Sequence, residues 1–304
     1  VRQNTVNPPG NERCAAAVVE SYLARYGVCC TLHEKAPGRT NLLARIGTGG
    51  PTVFVPAHTD VVPVGEGWQT DPFEPVVRDG FLYGRGSTDN KGPLTALLLL
   101  ASFLKQHEKA FKGTLLVGAV ADEERGSTFG LTYLLAAGLA QADYGIVPDT
   151  GASIFKVSCG EKGLLHVDVV LRGVQTHASR PDTGLNALYA ANAFISDIQA
   201  LHGERVGYCT TVAPPPFSPT TVNVTRICAG SAYNIVPGQC TLGLDIRFIP
   251  GETVAQWTAT LGAIAQRLRD QGLCTGYDVI VQDAQDPFVI DDQNGIVQAI
   301  DASV

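Results

Sequence analysis

Gly113-Thr114-Leu115-Leu116-Val117-Gly118-Ala119-Val120-Ala121-Asp122-Glu123-Glu124 runs from an unbroken apolar stretch directly into three acids. The apolar part, 113–121, has the length of a strand covered on both faces, as in a parallel sheet. Three adjacent carboxylates at the end of such a strand repel one another and lose hydration. They need either a cation or an ordinary acidic loop open to water. The arrangement recurs along the chain. The apolar stretch 52–55 leads into Pro56-Ala57-His58-Thr59-Asp60, and the short one at 144–147 into Pro148-Asp149. Residues at the carboxyl ends of parallel strands face the ligand crevice of an open α/β sheet.

Working outward, 14–26 carries apolar residues at helical spacing after a Pro8-Pro9-Gly10 turn, and 41–46 reads as a strand. Residues 95–106 and 128–137 read as helices. Strands interleaved with helices imply an α/β domain with a largely parallel sheet. Near Gly163 the pattern changes. Strand 164–171, helix 186–201, strands 220–227 and 239–248, helix 254–271 and strand 277–282 follow in the order of a split-βαβ, ferredoxin-like unit. Pro214-Pro215-Pro216 reads as a loop, and a last helical segment begins at Gly295.

Composition removes several function classes. The 304 residues are 45% hydrophobic and only 17% charged, which argues against a disordered or coiled-coil chain. The net charge is −7 and no Lys/Arg cluster occurs, so nucleic acid is not an expected partner. The longest apolar run, 94–104, is too short to span a bilayer, so no membrane is expected either. Eight cysteines without a Cys-x-x-Cys pair read as thiols of a reducing, cytoplasmic setting.

Each acidic motif has a bland reading and a chemical one. His58, two residues before Asp60, is either a surface His beside a turn Asp or an imidazole whose second nitrogen is held by that carboxylate. Gly84-Arg85-Gly86-Ser87-Thr88-Asp89-Asn90-Lys91-Gly92 fails the dinucleotide fingerprint, because an acid stands where a glycine is required, and no Gly-Lys-Ser/Thr follows. Asp89 is then a helix cap or a carboxylate bridging two cations. Asp149 is a turn residue or a further oxygen ligand. Together, one His and several carboxylates without a Cys form a donor set suited to Zn, Mn or Co. Two such ions sharing a carboxylate would activate water and hold a tetrahedral oxyanion.

These motifs, with Gly173-Val174-Gln175-Thr176-His177-Ala178-Ser179-Arg180-Pro181 and Asn234-Ile235-Val236-Pro237-Gly238, occur in the order found in a known family. The sequence resembles the co-catalytic zinc deacylases and peptidases that include acetylornithine deacetylase, succinyl-diaminopimelate desuccinylase, aminoacylase, glutamate carboxypeptidase and the carnosine-type dipeptidases. The resemblance implies an α/β, mainly parallel-sheet catalytic domain over 1–162 and 283–304, with an inserted ferredoxin-like α+β lid and dimerisation domain over 163–282. It implies that His58 and Asp149 hold one metal, that Asp89 bridges, and that Glu124 holds the second. Asp60 orients His58, and Glu123 is the general base. His177 polarises the scissile carbonyl, while Asn234, Arg247 and Arg180 are candidates for holding a substrate carboxylate. On Arg247 the sequence is evenly divided between that task and a surface ion pair.

The implied cofactors are two divalent ions, zinc with cobalt or manganese as alternatives. The implied substrate is an N-acyl amino acid, with a dipeptide or peptide C-terminus as the alternative, and the implied assembly is a homodimer through the lid. A non-catalytic binding relative is the rival reading, and a dinucleotide oxidoreductase fails at Asp89. Two departures stand out. The family ends its ligand set with a His near the C-terminus, and here no His follows His202, so the last ligand is expected beyond residue 304. Asp149 stands where many members carry Glu.

Overall fold

The computed structural model describes residues 1–149, 157–203, 207, 209 and 217–303. Thr150 and the Pro214-Pro215-Pro216 loop lie outside them. The chain divides into two compact units, 1–156 and 157–304.

In the first unit the order is α1 (Arg13–Ala24), β1 (Cys30–Glu34), β2 (Thr40–Thr48), β3 (Thr52–His58), β4 (Val76–Arg78), β5 (Phe81–Tyr83), α2 (Lys91–Gln106), β6 (Gly113–Val120), α3 (Leu131–Ala136) and β7 (Tyr144–Gly145). Five strands form one sheet in the order β1-β2-β6-β3-β7. β3 pairs in parallel with β6 and β7, whereas β2 is antiparallel to both β1 and β6. The sheet is therefore parallel around β3, where the acidic motifs emerge, and antiparallel at the far edge.

Every residue of β6 is buried, because helices cover both of its faces. Leu115, Val117 and Ala119 meet Val19 and Leu23 of α1 and Leu94, Leu97 and Ala101 of α2. Leu116 and Val120 point the other way, into a smaller cluster with Phe54 and Leu134. This is the period-2 side-chain alternation of a strand. It explains why 113–121 is an unbroken apolar run rather than an alternating one. β4 and β5 form a separate two-stranded ribbon.

The second unit contains β8 (Gly160–Glu161), β9 (Gly163–Arg172), β10 (Thr176–His177), α4 (Ala187–Ala200), β11 (Thr221–Ala229), β12 (Ile235–Val236), β13 (Gln239–Phe248), α5 (Val254–Asp270), β14 (Gly276–Gln285), β15 (Phe288–Val289) and α6 (Gly295–Asp301). Its main sheet has the order β11-β13-β9-β14, antiparallel throughout, which is the ferredoxin-like arrangement expected from the sequence. Leu165, Val167, Val169 and Leu171 alternate inward on β9 and pack with Leu242, Leu244 and Ile246 of β13. Ala190, Phe194 and Ile198 of α4 and Trp257, Leu261 and Leu268 of α5 close this core. A capping box at Thr253 and Gln256 satisfies the first turn of α5.

β14 continues to Gln285, and after it β15 pairs antiparallel with β8. Among the described residues no helix is long and apolar enough to cross a membrane.

Candidate metal centre

β3 delivers His58 to the carboxyl edge of the first unit's sheet with its ring 2% exposed. Its Nε2 lies 2.8 Å from Asp89 Oδ1, 3.7 Å from Glu123 Oε2 and 3.7 Å from Asp149 Oδ2. Two sets, His58–Asp89–Glu124 and His58–Glu123–Asp149, bring one donor atom from each member within 4.8 Å of one another. A cleft of about 150 Å³ opens beside Asp89 and Glu124, walled by the loop Gly84–Arg85–Gly86–Ser87. Asp89, the adjacent Glu123 and Glu124, and Asp149 come from three loops far apart in sequence and meet around the imidazole of His58.

Local contacts aim each loop. Thr59 N–H donates to Val120 O at 2.9 Å, locking the end of β3 to that of β6. Asn90, fully buried after Asp89, donates to Pro148 O at 3.2 Å and so ties the Asp89 loop to the one carrying Asp149. Lys91 begins α2 and donates from Nζ to Gln3 O at 2.8 Å; burial lowers its pKa to about 8. Glu123 and Glu124 lie on one turn of 3₁₀ helix after Asp122, whose φ of 67° is left-handed. That conformation, enriched in Asp and Asn, breaks β6 sharply.

The electrostatics are those of an anionic cluster closing on one cationic group. Burial disfavours the charge on His58, but Asp60, Glu123 and Asp89 outweigh it and raise its pKa to about 9. Burial, then the neighbouring carboxylates, push Glu123 and Glu124 above the usual range. Burial acts against Asp60 too, yet His58, Asn7 and the Glu123 amide hold its carboxyl below the ordinary value. The donor set of one imidazole and several half-exposed carboxylates fits a hard-to-borderline divalent cation, which would remove the mutual repulsion.

Asp60 is fully buried, and its Oδ1 is 3.5 Å from His58 Nδ1. His58 Nδ1 is closer, at 3.0 Å, to the Asp60 carbonyl. Asp60 also accepts the amides of Glu123 at 3.1 Å and Glu124 at 3.2 Å, a contact that spacing along the chain does not suggest. Sequence reasoning missed the groups beneath it. Asn7, Glu12, Arg39 and Asn41 are all polar groups in the buried floor, and Asp122 was read only as part of the acidic run. Asn41 accepts the Ala121 amide at 3.0 Å and donates to Phe129 O at 2.8 Å. The one available signal was a polar Asn opening an otherwise apolar strand.

In the second unit His177, Arg180 and Asn234 are gathered in one exposed loop cluster. His177 pairs across from Ile235 and its Nδ1 is 2.8 Å from Ser179 Oγ. Ala178 N–H donates to Asn234 O, and Arg180 N–H to His177 O. Arg247 is not part of this cluster. It sits eight residues along β13 from Gln239, about 26 Å at strand rise, and its guanidinium forks onto Asp245 at 3.1 Å. His202 is buried with Nε2 donating to Val222 O and Nδ1 accepting from Gly207 N, so both of its nitrogens are engaged within the fold.

The fold, a mixed α/β unit and a ferredoxin-like unit, is shared with known proteins, and the chain belongs to the M20 peptidase family. The family profile described as a peptidase dimerisation domain matches residues 159–272. Succinyl-diaminopimelate desuccinylase from Stenotrophomonas maltophilia is 31% identical over 268 residues, covering 85% of this chain and 69% of the relative. The Gluconacetobacter diazotrophicus enzyme of the same name is 33% identical over 237 residues, 73% of this chain. The chain spans only 59% of that relative's length. Among solved structures, an M20 family metallo-carboxypeptidase from Sulfolobus solfataricus shares the fold with a TM-score of 0.76 at 20% identity, over 98% of this chain and 79% of that one.

Proposed function

We propose that this protein is a metal-dependent amidohydrolase that cleaves the amide bond of an N-acyl amino acid, in the manner of the desuccinylases it resembles. The observation that carries the reading is the meeting of Asp89, Glu123 and Asp149 within 3.7 Å of the buried His58 Nε2. In this proposal His58 and Asp149 hold one divalent cation, Glu124 the other, and Asp89 is shared. Zinc heads the list, with cobalt and manganese suited to the same donors. Bound cations would supply Lewis-acid polarisation of the carbonyl and lower the pKa of a water.

The chain's own groups do the rest. Asp60 holds the imidazole of His58 in one orientation from the Nδ1 side. Glu123, about half exposed beside the cluster, takes the proton of the attacking water and returns it to the leaving amine. His177 steadies the oxyanion, with Arg180 and Asn234 beside it as candidates for the substrate carboxylate. Residues 1–162 and 283–304 are assigned to the catalytic domain and 163–282 to the lid, through which the protein forms a homodimer. A reducing, cytoplasmic setting belongs to the same proposal, on the sequence pattern of eight cysteines without a Cys-x-x-Cys pair.

The test is a side-by-side hydrolysis assay of succinyl-diaminopimelate, acetylornithine and a dipeptide panel with zinc-loaded protein. Turnover of an acyl amino acid above the dipeptides supports the proposal. Turnover of the dipeptides alone moves the protein to the peptidase branch. Metal bound without any turnover leaves a binding protein.

A further inference from the structure

Beneath the acidic cluster lies a buried polar layer that no part of the proposed chemistry uses. Asn7, 3% exposed, donates from its one amide nitrogen to Asp60 Oδ2 at 2.8 Å and to Asp122 Oδ1 at 3.0 Å. A primary amide has two N–H groups, so both bonds can form at once. Asp122 Oδ1 also accepts from Arg39 Nη2 at 2.9 Å, and Oδ2 accepts the Phe129 amide at 3.0 Å. Arg39 in turn grips the fully buried Glu12 with two bonds of 2.8 and 2.7 Å. Gly10 has a φ of +87°, and a Cβ there would lie 2.5 Å from Arg39 Nε, so a side chain at this position would dislodge the pair.

The layer reaches the cluster by a short route. The Asp60 carboxylate accepts the amides of Glu123 and Glu124 and lies 3.5 Å from His58 Nδ1, which is held at 3.0 Å by the Asp60 carbonyl, while Asp122 begins the turn that presents those two acids. Two buried carboxylates this close would repel unless each is satisfied by donors. Asn7 is the neutral donor that serves both. Segment 5–7 is itself stitched alongside 59–61, through Thr5 Oγ1 to Thr59 O at 2.6 Å and Asn7 N–H to Val61 O at 2.9 Å.

We infer that Asn7 and the Arg39–Glu12 pair are positioning residues that set the spacing of His58 from Glu123 and Glu124, by clamping Asp60 and Asp122 from below. The inference rests on the metal-centre reading above, and it extends that reading from the ligands to the N-terminal segment. Outer partners of this kind commonly change metal affinity 10- to 100-fold when lost.

The experiment is a cobalt titration of the full chain, reading affinity by calorimetry and ligand geometry by the visible absorption of bound Co²⁺. Asn7→Leu removes both donors while keeping the volume. The expected result is at least tenfold weaker binding and a shifted spectrum in protein whose far-ultraviolet circular dichroism is unchanged. Arg39→Lys, whose single ammonium cannot reproduce the fork, is the second variant and carries the test if Asn7→Leu does not fold. Arg13→Ala, which breaks only the exposed pair with Glu34, is the control with unaltered binding. A folded variant with wild-type affinity and spectrum overturns the inference. Wild-type protein that binds no cobalt overturns the metal-centre reading instead, so the two failures are distinguishable.

Discussion

His58 Nε2 and Asp89 Oδ1 stand 2.8 Å apart although 31 residues separate them in the chain. β3 ends at the first, α2 begins just after the second, and the pair marks the centre of the carboxylate cluster. Half-buried acids facing one imidazole form a site whose charge is out of balance without a cation.

Metal should therefore stabilise the first unit. Cation at a hundredfold excess over its dissociation constant contributes about 2.7 kcal/mol. For a unit of this size that corresponds to a rise in melting temperature of roughly 5–10 °C. Scanning calorimetry with and without zinc, followed by chelator, measures it. An unchanged transition with zinc, cobalt and manganese alike would refute a metal centre.

Glu123→Gln keeps the shape of the side chain and removes its ability to accept a proton. Hydrolysis of the best acyl substrate should fall by about 10²–10⁴-fold, the contribution of a general base. Metal content, measured by elemental analysis, should stay at the wild-type level. If metal is lost in parallel with activity, Glu123 is a ligand and not the base.

The second unit can be probed separately through Trp257, which is 7% exposed and packed in its core. Phe194 is fully buried against the same sheet, and Phe194→Ala should cost about 3–5 kcal/mol through lost burial and the cavity left behind. Urea titration followed by the red shift of tryptophan emission, in a Trp68→Phe background that leaves Trp257 as the one tryptophan, reads the change. A loss below about 1 kcal/mol would contradict the packing described.

Asp245 supplies a pH-dependent prediction. Burial alone would raise its pKa, but Arg247 and His166 outweigh burial and hold it below the usual value. A carboxyl depressed in the folded state stabilises above its unfolded pKa, and that stability drains away as pH falls through the folded one. Asp245→Asn should lower stability near pH 7 by about 1 kcal/mol or less, since the pair is partly solvated. It should also flatten the acid-side decline below about pH 4. Urea midpoints across pH 2–7 give the comparison, and identical slopes for the two proteins would rule out the contribution.

Much of this protein is decided by local sequence. The apolar run ending in Asp122, Glu123 and Glu124, the helical spacing of Phe194 and Ile198, and the alternation of Leu165, Val167, Val169 and Leu171 each report a burial pattern with a period of a few residues, which the chain displays without its partners. Local motifs also point to His58, Glu123, Glu124 and Asp149, which follow apolar strands, and to Asp89, which lies in the Gly-rich loop before α2. Tertiary structure decided the rest. The antiparallel pairing of β2 with β6 joins segments about 70 residues apart, and no periodicity encodes a partner. The floor of Asn7, Glu12, Arg39 and Asp122 is held by bonds spanning 27 to 115 residues, a separation across which no sequence spacing relates one side chain to another. A polar group reveals its use only through what it is buried against, and that is a property of the folded chain.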